Sequence, residues 1–279
     1  MGLLHSMIFK IRSNWYKMVK YKDKNKENLT RSRDILVSIA NNPRNKKFEK
    51  LPTSDIFRAK QLRNDNNNNI KGFRRYKKGS IIFVDFGIGI GNEFSHPHFC
   101  VVMDNKDNPK KGTLTVIPLT SKEKNNFIKL DKNMIYKFFD QTVKDIQERN
   151  KLLTAIFDLQ NNPLTKKSGV YYPKDENIQL LIDELAKRNN LKNTISIQKA
   201  KQCIMKEDKY SKEIAEFYLR YNKNTYANVQ AITTISKFRI FKPLNPLDPI
   251  GKLQLSKRLI KVLEEEVVKN LTSVKIDKP

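Results

Sequence analysis

Residues 77–121 read KKGSIIFVDFGIGIGNEFSHPHFCVVMDNKDNPKKGTLTVIPLTS, and the fold is decided there. Three short runs are apolar and rich in β-branched and aromatic residues: Ile81–Phe86, Phe99–Met103 and Thr113–Leu119. Turn chemistry bounds each of them, at Gly79-Ser80, across Gly87–Gly91 and across Asn105–Gly112. Short strands with polar connections predict an antiparallel small barrel or strongly coiled sheet. Two of the chain's three histidines, His96 and His98, fall in the same stretch, which marks it as a candidate site.

On the N-terminal side the chain is basic. Residues 1–79 hold 21 Lys and Arg against 6 Asp and Glu, which is more than half of the net charge of +26. Ile8, Phe9, Ile11, Trp15, Tyr16, Met18 and Val19 predict one amphipathic helix, and Ile35–Ala40 behind Ser32 predicts another. Asn64–Asn69 reads as a polar linker. Arg31, Arg33, Arg44, Lys46, Lys47, Arg74, Arg75, Lys77 and Lys78 form either a nucleic-acid-gripping arm or a solubilising surface.

After Leu130 the period changes. Ile135, Phe139, Val143, Ile146, Leu153 and Phe157 predict a long amphipathic helix that stops at Asn161–Pro163. Ile178–Leu185 predicts a second helix, and Ser196–Tyr221 a third, broken near Asp208–Ser211. In the third, Ile214, Phe217, Tyr218 and Tyr221 line one face, a spacing that signals core packing. Strand character returns at Tyr226, with Val229–Ile235, a turn at Ser236–Phe238, and Arg239–Phe241. A last helix runs from Ser256 to about Leu271 with Leu259, Val262, Leu263 and Val267 inward and Glu264–Glu266 in solvent.

So large a positive excess points first to a nucleic acid and second to a membrane surface as partner. No apolar run is long enough to span a bilayer. Cys100 and Cys203 lie far apart with no Cys-x-x-Cys spacing, so a reduced, cytoplasmic protein is expected. His96-x-His98 lacks a third metal ligand nearby, and no metal or other cofactor is expected. Gly87–Gly91 is not followed by Gly-Lys-Ser/Thr, which excludes a phosphate-binding P-loop. Ser95 has no triad partners.

The order Gly79, Phe83-Val84-Asp85, Gly91-Asn92-Glu93, His98, Cys100-Val101-Val102 and Pro118-Leu119-Thr120-Ser121 resembles the opening of the PemK/MazF family of toxin endoribonucleases. Ile232, Thr234, Ile235, Lys237 and Arg239, followed by a terminal helix, resemble its closing half. The resemblance implies an α+β fold: an SH3-like β-barrel with a C-terminal helix, formed by residues 77–130 and 226–271. Residues 131–225 would be a helical insertion and residues 1–76 a basic extension. One departure stands out, since most members carry Arg-Pro where this chain has His98-Phe99.

The same resemblance implies metal-independent cleavage of single-stranded RNA, in which the ribose 2′-OH attacks the adjacent phosphorus. His98 and Thr120 occupy the family's two catalytic positions. A histidine exchanges protons near neutrality, as an arginine does not. On a continuous strand His96 would share a face with His98 and could be a second proton-transfer group. Glu93, Ser121, Lys237 and Arg239, with Arg74, Arg75, Lys77 and Lys78, are the expected RNA contacts, and Glu93 could instead orient a histidine. A homodimer and an acidic antitoxin partner are also implied. The competing reading is a non-catalytic RNA- or protein-binding module on the same barrel.

Overall fold

The computed structural model describes residues 2–67, 72–130, 134–158, 164–167, 170–173, 176–191 and 197–273. The side chains of Ile8–Val19, the stop at Asn161–Pro163 and linker residues 68–69 lie outside the described residues. The chain divides into two compact units, residues 1–69 with 86–96, and residues 70–85 with 97–279.

The first unit opens with α1 (Gly2–Asn41), one helix where the sequence suggested two. No proline or glycine interrupts it after Gly2, so nothing breaks the backbone ladder before Pro43. A short 3₁₀ turn, Lys46–Lys50, is capped by the Asn45 side chain, and α2 (Leu51–Asn66) follows with Pro52 in its first turn. The helix therefore extends into the expected linker. Residues 86–96 complete this unit as a hydrogen-bonded loop. Lys47 Nζ donates to the carbonyls of Gly89 (3.1 Å) and Gly91 (2.7 Å). Ser95 Oγ accepts the Gly89 N–H, and Glu93 Oε2 accepts the Ile90 N–H.

The second unit is built on an antiparallel sheet of β1 (Ile81–Asp85), β2 (Pro97–Val102), β3 (Thr113–Thr120), β4 (Ile128–Lys129), β7 (Tyr226–Ala227) and β8 (Thr233–Ser236). Its order is β1-β2-β3-β7-β4, with β8 also on β3. The sheet is open rather than the closed barrel expected. β1 meets β2 as Ile81↔Val101 and β2 meets β3 as Cys100↔Pro118, so residues of equal parity share a face. The odd face carries Ile81, Phe99, Val101, Ile117 and Leu119, all buried. Ile82, Val84, Cys100, Val102 and Val116 on the even face are fully buried too, so these strands read as continuous apolar runs.

Val229–Ile235 is not one strand. Pairing runs from Ala227↔Leu119 to Thr233↔Val116, which leaves three extra residues on this side of β3. A 3₁₀ turn at Val229–Ala231 absorbs them. Beyond β8 the chain returns to β1, where the Phe241 N–H donates to the Phe83 carbonyl. The Gly251 N–H donates to the Ile81 carbonyl, and the Leu253 carbonyl accepts the Ile81 N–H. The outer edge of β1 is thereby covered, which removes a template for edge pairing.

Helices α3 (Met134–Asp158) and α5 (Ile197–Leu219) cover the odd face. Phe139, Val143, Ile214 and Tyr218 join the strands in one core, and the Tyr218 ring stacks on Phe139. The Tyr218 hydroxyl donates to buried Asp248, which also accepts the Leu244 and Ile250 N–H groups. α5 runs unbroken through Asp208–Ser211. α4 (Glu176–Arg188) packs with the far ends of α3 and α5 in a second cluster around Leu153, Leu185 and Ile204. This block is not purely helical, because β5 (Leu164–Lys167) and β6 (Val170–Pro173) form a hairpin within it. The last helix, α6 (Lys257–Leu271), is capped by Ser256 and buries Leu263 fully. Val262 is exposed and Ile260 takes the inward place. A Cβ on Gly79, at φ +79°, would collide with Ile260, so only glycine suits that turn.

Candidate functional site

β2 begins and β3 ends at the same end of the sheet, because the strands are antiparallel. The observed register, continued two residues beyond Cys100↔Pro118, sets His98 across from Thr120. A cleft of about 240 Å³ opens there, lined by His98, Thr120, Ser121 and Lys122 from the strand side. The other wall comes from the end of α5 and the turn behind it, with Arg220, Tyr221 and Lys223. Two walls about a hundred residues apart in sequence thus build one site. β7 explains the meeting: Tyr226 pairs with Thr120, so the residues just before it arrive beside the end of β3.

His98 is half-buried, and its Nδ1 lies 3.1 Å from the Leu119 carbonyl oxygen. A carbonyl can only accept, so Nδ1 carries the proton in the neutral ring. Nε2 then holds the lone pair. Thr120 Oγ1 accepts the Lys122 N–H at 3.2 Å, which leaves its own O–H to donate. Burial pushes the Tyr221 phenol above its ordinary range, against the pull of the neighbouring Arg220 charge. It is a neutral group at physiological pH. Among the described residues no lining residue is acidic, while Lys122, Arg220 and Lys223 are all exposed cations. The electrostatics suit an anion.

His96 is not among the lining residues of this cleft. β2 starts at Pro97, and His96 has a left-handed backbone with φ +73°. The alternation that was expected to put both rings on one face does not extend to it. Glu93 is engaged within its own loop.

The expected RNA contacts divide. Ser121 lines the cleft. Lys237 does not fit the expectation: its side chain is 2% exposed, and Nζ pairs with buried Asp107 at 2.6 Å. Nζ also donates to the Arg74 and Asn108 carbonyls, so its three protons are consumed internally. Lys78 bonds Asn105 and pairs with Glu264 of α6, which is therefore not simply a solvated residue. Arg74 bonds the Ile250 carbonyl and lies over the Tyr76 ring. Arg239 donates to the Asp85 carbonyl at 3.4 Å. Arg75 and Lys77 are exposed. Among the described residues no cluster of His, Cys, Asp or Glu could hold a metal ion.

Sequence reasoning missed Lys122, Arg220 and Lys223. A signal for the last two existed, since Arg220–Lys223 immediately precede the strand that rejoins the sheet.

Residues 77–143 match the family described as PemK-like, MazF-like toxin of type II toxin-antitoxin system. The match spans β1 to β3, with His98 and Thr120, and the start of α3. No curated protein sequence matches the chain.

Proposed function

We propose that this chain, whose residues 77–143 carry the PemK/MazF toxin assignment, is an endoribonuclease toxin acting on single-stranded RNA. The observation that carries the reading is the His98 ring, fixed through Nδ1 on the Leu119 carbonyl beside Thr120. A base so oriented takes the 2′-OH proton on Nε2. The 2′-oxygen attacks phosphorus, the bond to the 5′-oxygen breaks, and a 2′,3′-cyclic phosphate and a 5′-OH result. Thr120 donates to a non-bridging phosphoryl oxygen. The departing 5′-oxygen takes its proton from water entering the open cleft, and His98 returns its own to solvent. Every step uses this chain's side chains and water, so cleavage proceeds without a metal.

The family also implies an antitoxin, and the exposed cations Lys122, Arg220 and Lys223 at the cleft suit an acidic segment that competes with RNA. A homodimer is part of the same proposal. Among the described residues no helix is long and apolar enough to cross a membrane.

The test is incubation of the purified chain with single-stranded RNA in EDTA, followed by analysis of the ends. Cyclic phosphate and 5′-OH ends are expected. Salt-dependent binding with no cleavage would instead favour the non-catalytic module.

A further inference from the structure

We propose that Arg220 is the permanent cation of this site and binds the non-bridging oxygens of the phosphate under attack. The proposal deepens the ribonuclease reading and rests on it for the reaction, though not for anion binding as such. As the 2′-oxygen attacks, negative charge accumulates on the phosphoryl oxygens, and catalysis follows from donors already aimed at them. Thr120 is neutral, and His98 is neutral at the moment it must act as a base. A further charged donor is required on the opposite wall.

Arg220 meets that requirement through its surroundings. It follows the last residue of α5, where the Tyr221 and Asn222 N–H groups bond back to Tyr218 and Leu219 and fix the turn. Its Nε donates to the Phe217 carbonyl at 3.2 Å, and its guanidinium lies 4.7 Å from the Phe217 ring centre. One edge and one face of the planar group are thus held. Its Nη nitrogens make no hydrogen bond among the described residues. That is the geometry for a two-pronged grip on phosphate, which lysine cannot reproduce. The Nε bond to Phe217 also puts a cation on a carbonyl at the C-terminus of α5, where positive charge is favourable. Phe217 in turn packs edge-on against Phe83 and Tyr218, so the platform is anchored in the core.

The helical block therefore supplies a catalytic group, one that touches the reacting phosphate, and is more than an appendage to the strands. The family match ends at residue 143, well short of Arg220.

The experiment has two arms, run on the full chain as wild type, Arg220→Ala and Arg220→Lys. In the first, single-turnover RNA cleavage falls about 100-fold in Arg220→Ala, the loss typical of one transition-state donor. Arg220→Lys recovers only part, and added methylguanidinium raises the rate of Arg220→Ala but not of wild type. In the second, inorganic phosphate is titrated while the His98 ring resonances are followed. Its affinity falls about tenfold in Arg220→Ala, matching the loss of one charged hydrogen-bonding group. Thermal unfolding of each variant separates this from loss of fold, and rescue by methylguanidinium is not expected of a misfolded chain. Wild-type cleavage with an undiminished rate in folded Arg220→Ala overturns the assignment and leaves the ribonuclease reading intact. An inactive wild type whose phosphate affinity still depends on Arg220 has the opposite meaning: the anion site stands and the ribonuclease reading falls. Phosphate affinity unchanged by Arg220→Ala overturns the assignment in either case.

Discussion

Two regions of the second unit use positive charge in opposite ways. Around Asp107, Lys237 is sealed from water and held by a carboxylate and two carbonyls, and Lys78 is tied to Asn105 and Glu264. At the cleft, Lys122, Arg220 and Lys223 stand exposed with no acidic residue in the lining among the described residues. The first arrangement spends charge on fixing loops: Asp107 also accepts the Tyr76 N–H, so residues 74–76, 107–108 and 237 are joined at one point. The second leaves charge available to a ligand. A count of Lys and Arg alone does not distinguish them, because each of these cations counts equally among the 55.

The comparison breaks if catalytic and structural effects fail to separate. His98→Ala should give the largest change, lowering single-turnover cleavage by about 100- to 10,000-fold, the range for general acid–base catalysis. Its unfolding temperature should stay close to that of wild type. Lys237→Met should do the reverse. It leaves Asp107 charged and buried without its partner, which costs about 3–5 kcal/mol of stability. Denaturant unfolding measures that loss, and whatever remains folded should cleave at the wild-type rate. Equal stability of Lys237→Met and wild type would mean that the Asp107 pair does not hold these loops.

Thr120→Val removes one donor from the phosphoryl oxygens while keeping shape, and a loss of about 100-fold is expected by the same assay. Smaller effects sharpen the contrast between the two groups of cations. Lys122→Ala should lower the log–log salt slope of RNA binding by up to about 0.7, the value for one phosphate contact on a single strand. Lys78→Ala should leave that slope unchanged, because its ammonium is already paired. Matching slopes for the two variants would erase the distinction. Smallest of all, Lys47→Ala should speed proteolysis within residues 86–96, where its ammonium bonds two loop carbonyls, with little change in global unfolding.

Much of the fold was legible because periodicity is a local signal. β1, β3, α3, α4 and α6 follow from runs whose spacing states their buried faces. What escaped were features set by distant partners. Whether Val229–Ile235 forms one strand depends on counting against β3, where three residues are surplus. The two residues of β4 are too few to show a pattern, and they exist because Tyr226 and Ala227 lie alongside. Lys237 looks like a surface cation until Asp107, far away in sequence, is brought beneath it. Of the site, the strand wall was readable from the order His98 to Thr120, and the helix wall was not. Arg220 and Lys223 have no spacing of their own that signals phosphate, and only the pairing of Tyr226 with Thr120 makes them neighbours of the site.

The central claim is that His98 moves a proton in RNA cleavage, and its pH dependence tests this most directly. Single-turnover cleavage of one labelled RNA would be measured from about pH 5 to about pH 9, spanning the ordinary histidine pKa of about 6.5. The base form must be neutral, so the wild-type rate should rise with pH through that range and then level. His98→Arg carries a charge that does not titrate there and should lose this limb while keeping part of its activity. His96→Ala should retain the limb. A wild type and a His98→Arg variant that bend at the same pH would contradict the account.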